Sequence, residues 1–198
     1  MNARAELRQV RPEGGNLWWT TFLETHASDV NRRFTEAGAV YWGPAQAVSV
    51  DLFSYVREAA LCYSVGRYLA TISLSGALIE TIINRDSRMS MRPHVRRIDG
   101  WATLNNRNLR EAESAGLPVR VLLKQRENLT DESPIDFVRR RNKIAHGDLA
   151  DHPAGLTDYS PVYEEMARDQ LTKATNFLIE WFNSSPDIQT QDYPETAE

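Results

Sequence analysis

Residues 69–83 read LATISLSGALIETII. At about 100° per residue the apolar positions cover most of the circumference, which predicts a helix enclosed by neighbours rather than one with a single apolar stripe. Glu80 is the only charge in this stretch and shares a face with Leu69, Ile72, Gly76 and Ile83. Ser73 and Gly76 are small enough to let a second helix approach closely. An unpaired carboxylate in such a place is costly and tends to become neutral. A basic partner from another helix is therefore expected, with Arg141 or His146 as the candidates. The pair is either functional or a purely structural buried ion pair.

Outward from this segment the periodicity stays helical, and strict alternation never lasts long enough to mark a strand. A first helix is predicted over 17–37, anchored by Trp18, Phe22 and Leu23 and stopped at Gly38. Tyr41-Trp42-Gly43-Pro44 reads as a connection. A second helix starts at Asp51, bends near Gly66 and continues through Tyr68 to Asn84. The span 86–100 is basic, contains Pro93 and is expected to be irregular. Helices are predicted over 101–115 and 119–127, separated by Gly116-Leu117-Pro118. Ser133-Pro134 marks the start of another helix, ending near 147–149, with Ser133 as N-cap. Ser160-Pro161 repeats that signal for a last helix with Tyr163, Met166, Ala174, Phe177, Leu178 and Trp181 on its apolar face. The expected fold class is all-α: an antiparallel helical bundle over 51–185, an N-terminal helical extension over 1–50 and an acidic, disordered tail over 186–198.

A chain of 198 residues with 41% hydrophobic and 25% charged residues has ordinary globular composition. Its single cysteine, Cys62, excludes a disulfide framework and a cysteine-cage zinc site. No apolar run approaches the roughly 20 residues of a membrane helix, so no membrane role is expected. Residues 1–16 mix Arg4, Arg8 and Arg11 with Glu6 and Glu13 around no apolar centre, unlike a signal peptide. The expected location is cytoplasmic. Arginine outnumbers lysine 20 to 3, and the four acids of the tail account for the whole net charge of −4. Arg85, Arg88, Arg92, Arg96, Arg97, Arg107 and Arg110 face only Asp86 and Asp99 within their stretch. These arginines serve either phosphate contact, through bidentate guanidinium forks, or a solvated face.

In the helix predicted from Ser133, residues Ile135, Val138, Ala145 and Leu149 share one arc with Asn142 in its middle. Phe137 and Ile144 form a second apolar edge. Arg139, Arg140, Lys143 and Gly147 take the remaining, solvated side. Arg141 falls between the two apolar edges, where a guanidinium must meet an anion, a carbonyl, a partner subunit or water. His146 borders the first arc, five residues from Arg141, about 7.5 Å along the axis and roughly 140° around it. Asn142, four residues before His146, is placed to orient the imidazole. Histidine can trade protons near neutral pH, and arginine can stabilise charge developing on a phosphate. That pairing suits metal-free cleavage of RNA, which supplies its own nucleophile in the 2′-OH.

The run Arg141-Asn142-Lys143-Ile144-Ala145-His146-Gly147 resembles the Arg-x4–6-His signature of the HEPN superfamily. Residues 70–80, Ala-Thr-Ile-Ser-Leu-Ser-Gly-Ala-Leu-Ile-Glu, are similar to the first core helix of that family, including its acidic residue. Residues 112–122, with the Gly116-Leu117-Pro118 break, look like the approach to the motif. The resemblance covers about 67–183. It implies a HEPN-like helical bundle that dimerises so that two Arg/His pairs form one composite RNA-cleaving site. Many members are toxins or effectors in bacterial conflict and antiviral defence, and some are silent binding scaffolds. Carried over, Arg141 stabilises the phosphate, His146 transfers protons, and Asn142 and Glu80 support them. Arg139, Arg140 and Lys143, with Arg92, Arg96 and Arg97 of the basic span, are the candidate RNA contacts.

The expected function is a metal-independent endoribonuclease, without cofactor, acting on RNA as a homodimer and countered by an antitoxin such as a nucleotidyltransferase. The alternative is a catalytically silent helical module that binds a protein or nucleic acid. A two-fold axis beside the Ser133 helix is expected to bury Phe137 or Ile144 and to bring two guanidiniums close enough to attract an anion. His146, Asp148, Asp151 and His152 could hold a metal, but they lack a recognised ligand spacing. His94 reads as an RNA-contact or surface residue and His26 as structural. Trp18, Trp19, Tyr41 and Trp42 could stack on bases or serve packing. No glycine-rich phosphate loop or nucleophile elbow is present.

Overall fold

The computed structural model describes residues 21, 24–41, 50–90, 92–130, 133–146 and 161–184. Among them the chain is mostly helical, as the periodicity predicts. The expected anchors Trp18, Phe22, Leu23, Trp19 and Trp42, and the acidic tail, lie outside the described residues.

Helix α1 spans Ala27–Tyr41, α2 Val50–Ser64 and α3 Tyr68–Arg85. α1 passes through Gly38 instead of stopping there. A mid-helix glycine costs only about 1 kcal/mol, and the Val30, Arg33 and Ala37 face is buried. The predicted bend at Gly66 is a full break between α2 and α3. Gly66 takes φ +78°, Arg67 N–H bonds Cys62 O at 2.7 Å and Gly66 N–H bonds Tyr63 O at 3.0 Å. Those two bonds are a Schellman cap, which needs a left-handed residue and so favours glycine. It folds α3 back against α2.

α3 is the helix around which the others pack, touching α2 and two later helices, Asp136–Ala145 and Pro161–Asn183. Eleven of its 18 residues are buried, in keeping with its all-round apolar pattern. After it come the short α4 (Ser87–Ser90) and two antiparallel strands, β1 (Arg97–Ile98) and β2 (Trp101–Ala102). This hairpin corrects the expectation of no strand, and it takes the first residues of the helix predicted over 101–115. Asn84 of α3 explains the hairpin. Its amide donates to Ala102 O at 2.8 Å and its carbonyl accepts from Ala102 N–H at 2.7 Å, so one side chain supplies both bonds of a neighbouring strand.

Helix α5 therefore begins late, at Asn106–Ser114, with the Asn105 side chain accepting from Asn108 N–H as N-cap. Gly116 ends it with a second Schellman cap, at φ +84°. The helix predicted over 119–127 is only a 3₁₀ turn, Val119–Leu122. Helix α6 is Asp136–Ala145, and its start is not capped by Ser133. Proline keeps the residue before it extended. The first amides are met from afar instead, Ile135 N–H by Asn106 Oδ1 at 3.0 Å and Asp136 N–H by Glu127 Oε1 at 2.6 Å.

The last helix, α7 (Pro161–Asn183), starts where Pro161 predicts, and Tyr163, Ala174, Phe177, Leu178 and Trp181 are buried. Two apolar clusters fill the interior. One joins the later half of α3 to α5, α6 and the end of α7. The other joins α1, α2 and the beginning of α3 to the beginning of α7. Polar groups pin the periphery. Arg33 of α1, 7% exposed, donates to Ser64 O and to the Tyr68 hydroxyl, while Tyr68 donates to Glu164 at 2.6 Å. At the other end Trp181 Nε1–H donates to Asp86 at 2.6 Å, and Arg88 forks onto the same carboxylate.

Candidate functional site

α6 lies across α3 at Gly76 and Glu80. A Cβ on Gly76 would stand 2.4 Å from Arg141 Cγ and 3.2 Å from its Cβ. The glycine is thus needed for close approach, and the apolar stem of Arg141 lies against α3 backbone. The head then reaches Glu80. Arg141 Nη2 donates to Glu80 Oε2 at 2.6 Å. The other carboxylate oxygen, Oε1, accepts from Leu104 N–H at 2.7 Å, a partner the sequence pattern did not reveal. Glu80 is 8% exposed, so the pair meets the requirement that a buried charge be paired and hydrogen-bonded.

Asn142 departs from expectation. Its side-chain oxygen accepts from Arg141 Nη1 at 3.1 Å and so positions the guanidinium, not the imidazole. Among the described residues, Glu80 and Asn142 use two of the five guanidinium N–H donors, which leaves three for another acceptor. His146 is the C-cap of α6 and is exposed. Its backbone N–H bonds Asn142 O at 2.9 Å, and its ring has no partner among the described residues. Arg141 is therefore held against α3, while His146 is exposed at the C-terminal end of the same helix.

The expected solvated side of this helix is not uniform. Arg139 is exposed and pairs with Asp136 at 2.5 Å. Arg140 is not a surface charge, because its side chain is 13% exposed and spans Asp136 and Asp169 at 2.7 Å each. Lys143 is half-buried and has a partner. Burial pushes the Asp136 carboxyl up, but Lys124, Arg140 and Arg139 outweigh it and hold the group below its usual range. Phe137, expected at a subunit interface, is 1% exposed within the single chain. Ile144 is half-buried against the cluster of Tyr63 and Leu171. The expected anion attraction by bare guanidiniums also changes, since Glu80 neutralises Arg141.

The basic span is partly consumed by structure. Arg92 donates to Ser114 O at 2.9 Å and lies 3.6 Å from Glu111. Arg97 donates to Met89 O at 2.9 Å. Arg96 is exposed, and its guanidinium has no partner among the described residues. His94 is exposed and its carbonyl accepts from Arg107. Of the metal-capable residues, only His146 is described. Asp148, Asp151, His152 and Leu149 lie outside the described residues, as does Gly147. No helix among the described residues is long and apolar enough to cross a membrane.

No family model, curated protein or solved structure matches this chain.

Proposed function

We propose that the chain is a metal-independent endoribonuclease of HEPN type, folded as a HEPN-like bundle. One observation carries this reading: Arg141 is held by Glu80 and Gly76 on the helix whose C-terminal end exposes His146, a ring with no partner among the described residues. In the reaction the ribose 2′-OH attacks the adjacent phosphorus. The P–O2′ bond forms, the P–O5′ bond breaks, and a 2′,3′-cyclic phosphate and a 5′-OH result. Arg141 binds a non-bridging phosphate oxygen through its remaining donors and stabilises charge there. His146 removes the 2′-OH proton or protonates the leaving oxygen. One histidine serves one of these roles at a time. Two chains about an axis beside α6 supply both, which is the reason to propose a homodimer. The biological setting that fits is a toxin or antiviral effector, restrained by an antitoxin such as a nucleotidyltransferase.

Incubation with RNA tests this. Wild type should leave 2′,3′-cyclic ends and be indifferent to chelator, and a 2′-deoxy sugar at the cut site should block cleavage. Equal cleavage by His146→Ala would sink the assignment.

A second reading, a silent helical module that binds a partner, is favoured by the neutrality of the Glu80–Arg141 pair. Toxicity on expression that His146→Ala relieves separates the enzyme from the module.

A further inference from the structure

The β1–β2 hairpin and the start of α5 form a surface that α3 and α6 do not use. Cross-strand partners Ile98 and Trp101 lie on the same face of the hairpin. They are 54% and 47% exposed, whereas Ala102 on the opposite face is 1% exposed. The turn between the strands holds Asp99 at φ +50° and Gly100 at φ +80°. Residues on either side of the hairpin in the chain line a cleft of about 310 Å³: Arg96 before it and Asn105, Asn106 and Arg107 after it, with Pro134.

The two asparagines of the cleft are spent on structure. Asn105 caps α5 and bonds Thr103. Asn106 donates to Thr130 O and Ser133 O and accepts from Ile135 N–H. The free polar groups of the cleft are therefore guanidinium donors. Arg107 uses Nε on His94 O at 2.9 Å, which leaves its terminal nitrogens. Arg96 has its backbone fixed on both sides by the fully buried Asn108, which accepts from Arg96 N–H at 2.7 Å and donates to Arg96 O at 2.8 Å. Arg96 thus combines a fixed backbone with an exposed guanidinium that has no partner among the described residues, and so remains open to a ligand.

Resting on the RNA reading above, we infer that this surface docks a single RNA strand, with a base stacked on Trp101 and phosphates on Arg96 and Arg107. Among the described residues of the hairpin and the cleft lining, Asp99 is the one acid against Arg96, Arg97 and Arg107. A half-exposed indole on the hairpin and guanidinium donors in the cleft that follows it in the chain suit both the planar bases and the phosphates of a strand. An acidic peptide would use only the cations.

The test is fluorescence anisotropy with a short labelled oligoribonucleotide whose 2′-hydroxyls are methylated, so that catalysis does not enter. Trp101→Ala should weaken binding by about 5- to 150-fold and Trp101→Phe should retain most of it. Arg96→Ala should lower the slope of log affinity against log salt by about 0.7. Arg96 is exposed, so its midpoint should not move, and Trp101→Phe keeps the cross-strand contact with Ile98 that Trp101→Ala loses. Absence of binding by wild type, wild-type affinity in both alanine variants, or equal binding of polyglutamate would each overturn the docking surface. Loss of binding in Trp101→Ala together with full cleavage by His146→Ala would leave the docking surface standing and remove the catalytic assignment.

Discussion

Arg141 and Glu80, 61 residues apart in the chain, meet at 2.6 Å where α6 crosses α3. The contact exists because Gly76 lets the arginine stem lie on the helix that carries the glutamate. Close packing and charge pairing are thus one feature, and changes at any of the three residues should be felt at the others.

Arg141→Ala leaves the buried Glu80 carboxylate without its cation and should destabilise the chain by about 3–5 kcal/mol, read by urea unfolding. Glu80→Ala leaves a guanidinium that is partly exposed and still bonded to Asn142, and should cost less than that but more than the roughly 0.5 kcal/mol of a surface site. His146→Ala, at an exposed position, should stay within about 0.5 kcal/mol of wild type. A change that small at Glu80 would show that its carboxylate is not held as described.

Gly76→Ala puts a methyl where Arg141 Cγ now lies, 2.4 Å from the new atom. Overpacking of this kind costs about 1–3 kcal/mol. It should also shift the guanidinium, so cleavage should fall more than stability alone accounts for. Single-turnover rates measured at a temperature where both proteins are folded separate the two effects.

Acid should unfold the protein through four carboxylates. Burial raises Glu36, Glu164, Asp86 and Asp136, but hydrogen bonds outweigh it. Those bonds come from Tyr63 and Arg32, from Tyr68 and Arg32, from Arg88 and Trp181, and from Lys124 and Arg139. All four lie below their ordinary values of 4.5 for Glu and 3.8 for Asp. The unfolded chain then binds more protons, so stability rises with pH across this window. The contribution is whole above the ordinary values and is lost as the pH falls beneath them. Asp136→Asn should flatten the acid limb of a stability profile measured from pH 2 to 6, roughly the range bracketing these groups.

Assembly can be read by mixing subunits. Arg141→Lys keeps a charge for Glu80 but loses the planar fork. Combined with His146→Ala in one heterodimer, it tests whether a single intact set of side chains suffices. The mixed dimer keeps one His146 where the proposed site uses two, so it should stay well below wild type, and recovery to wild-type activity would show that one histidine suffices. A monomer by light scattering with full RNA cleavage would rule the composite site out.

Some of this was legible in residue order alone. The apolar circumference of 69–83 marked α3 as the enclosed helix, its lone Glu80 called for a basic partner, and Pro161 located the start of α7. Each follows from local rules, because helical periodicity and terminal signals act over a few residues. The partners were decided by tertiary structure. Asn142 turned to Arg141, Arg140 was drawn in between Asp136 and Asp169, and α6 began where Asn106 and Glu127 capped it from other segments. The hairpin formed because Asn84 offered Ala102 a strand's two hydrogen bonds. A side chain's preference for helix or turn is written in its neighbours along the chain. Which donor meets which acceptor depends on segments brought together only when the apolar faces close, and buried polar groups must then bond whatever lies within reach.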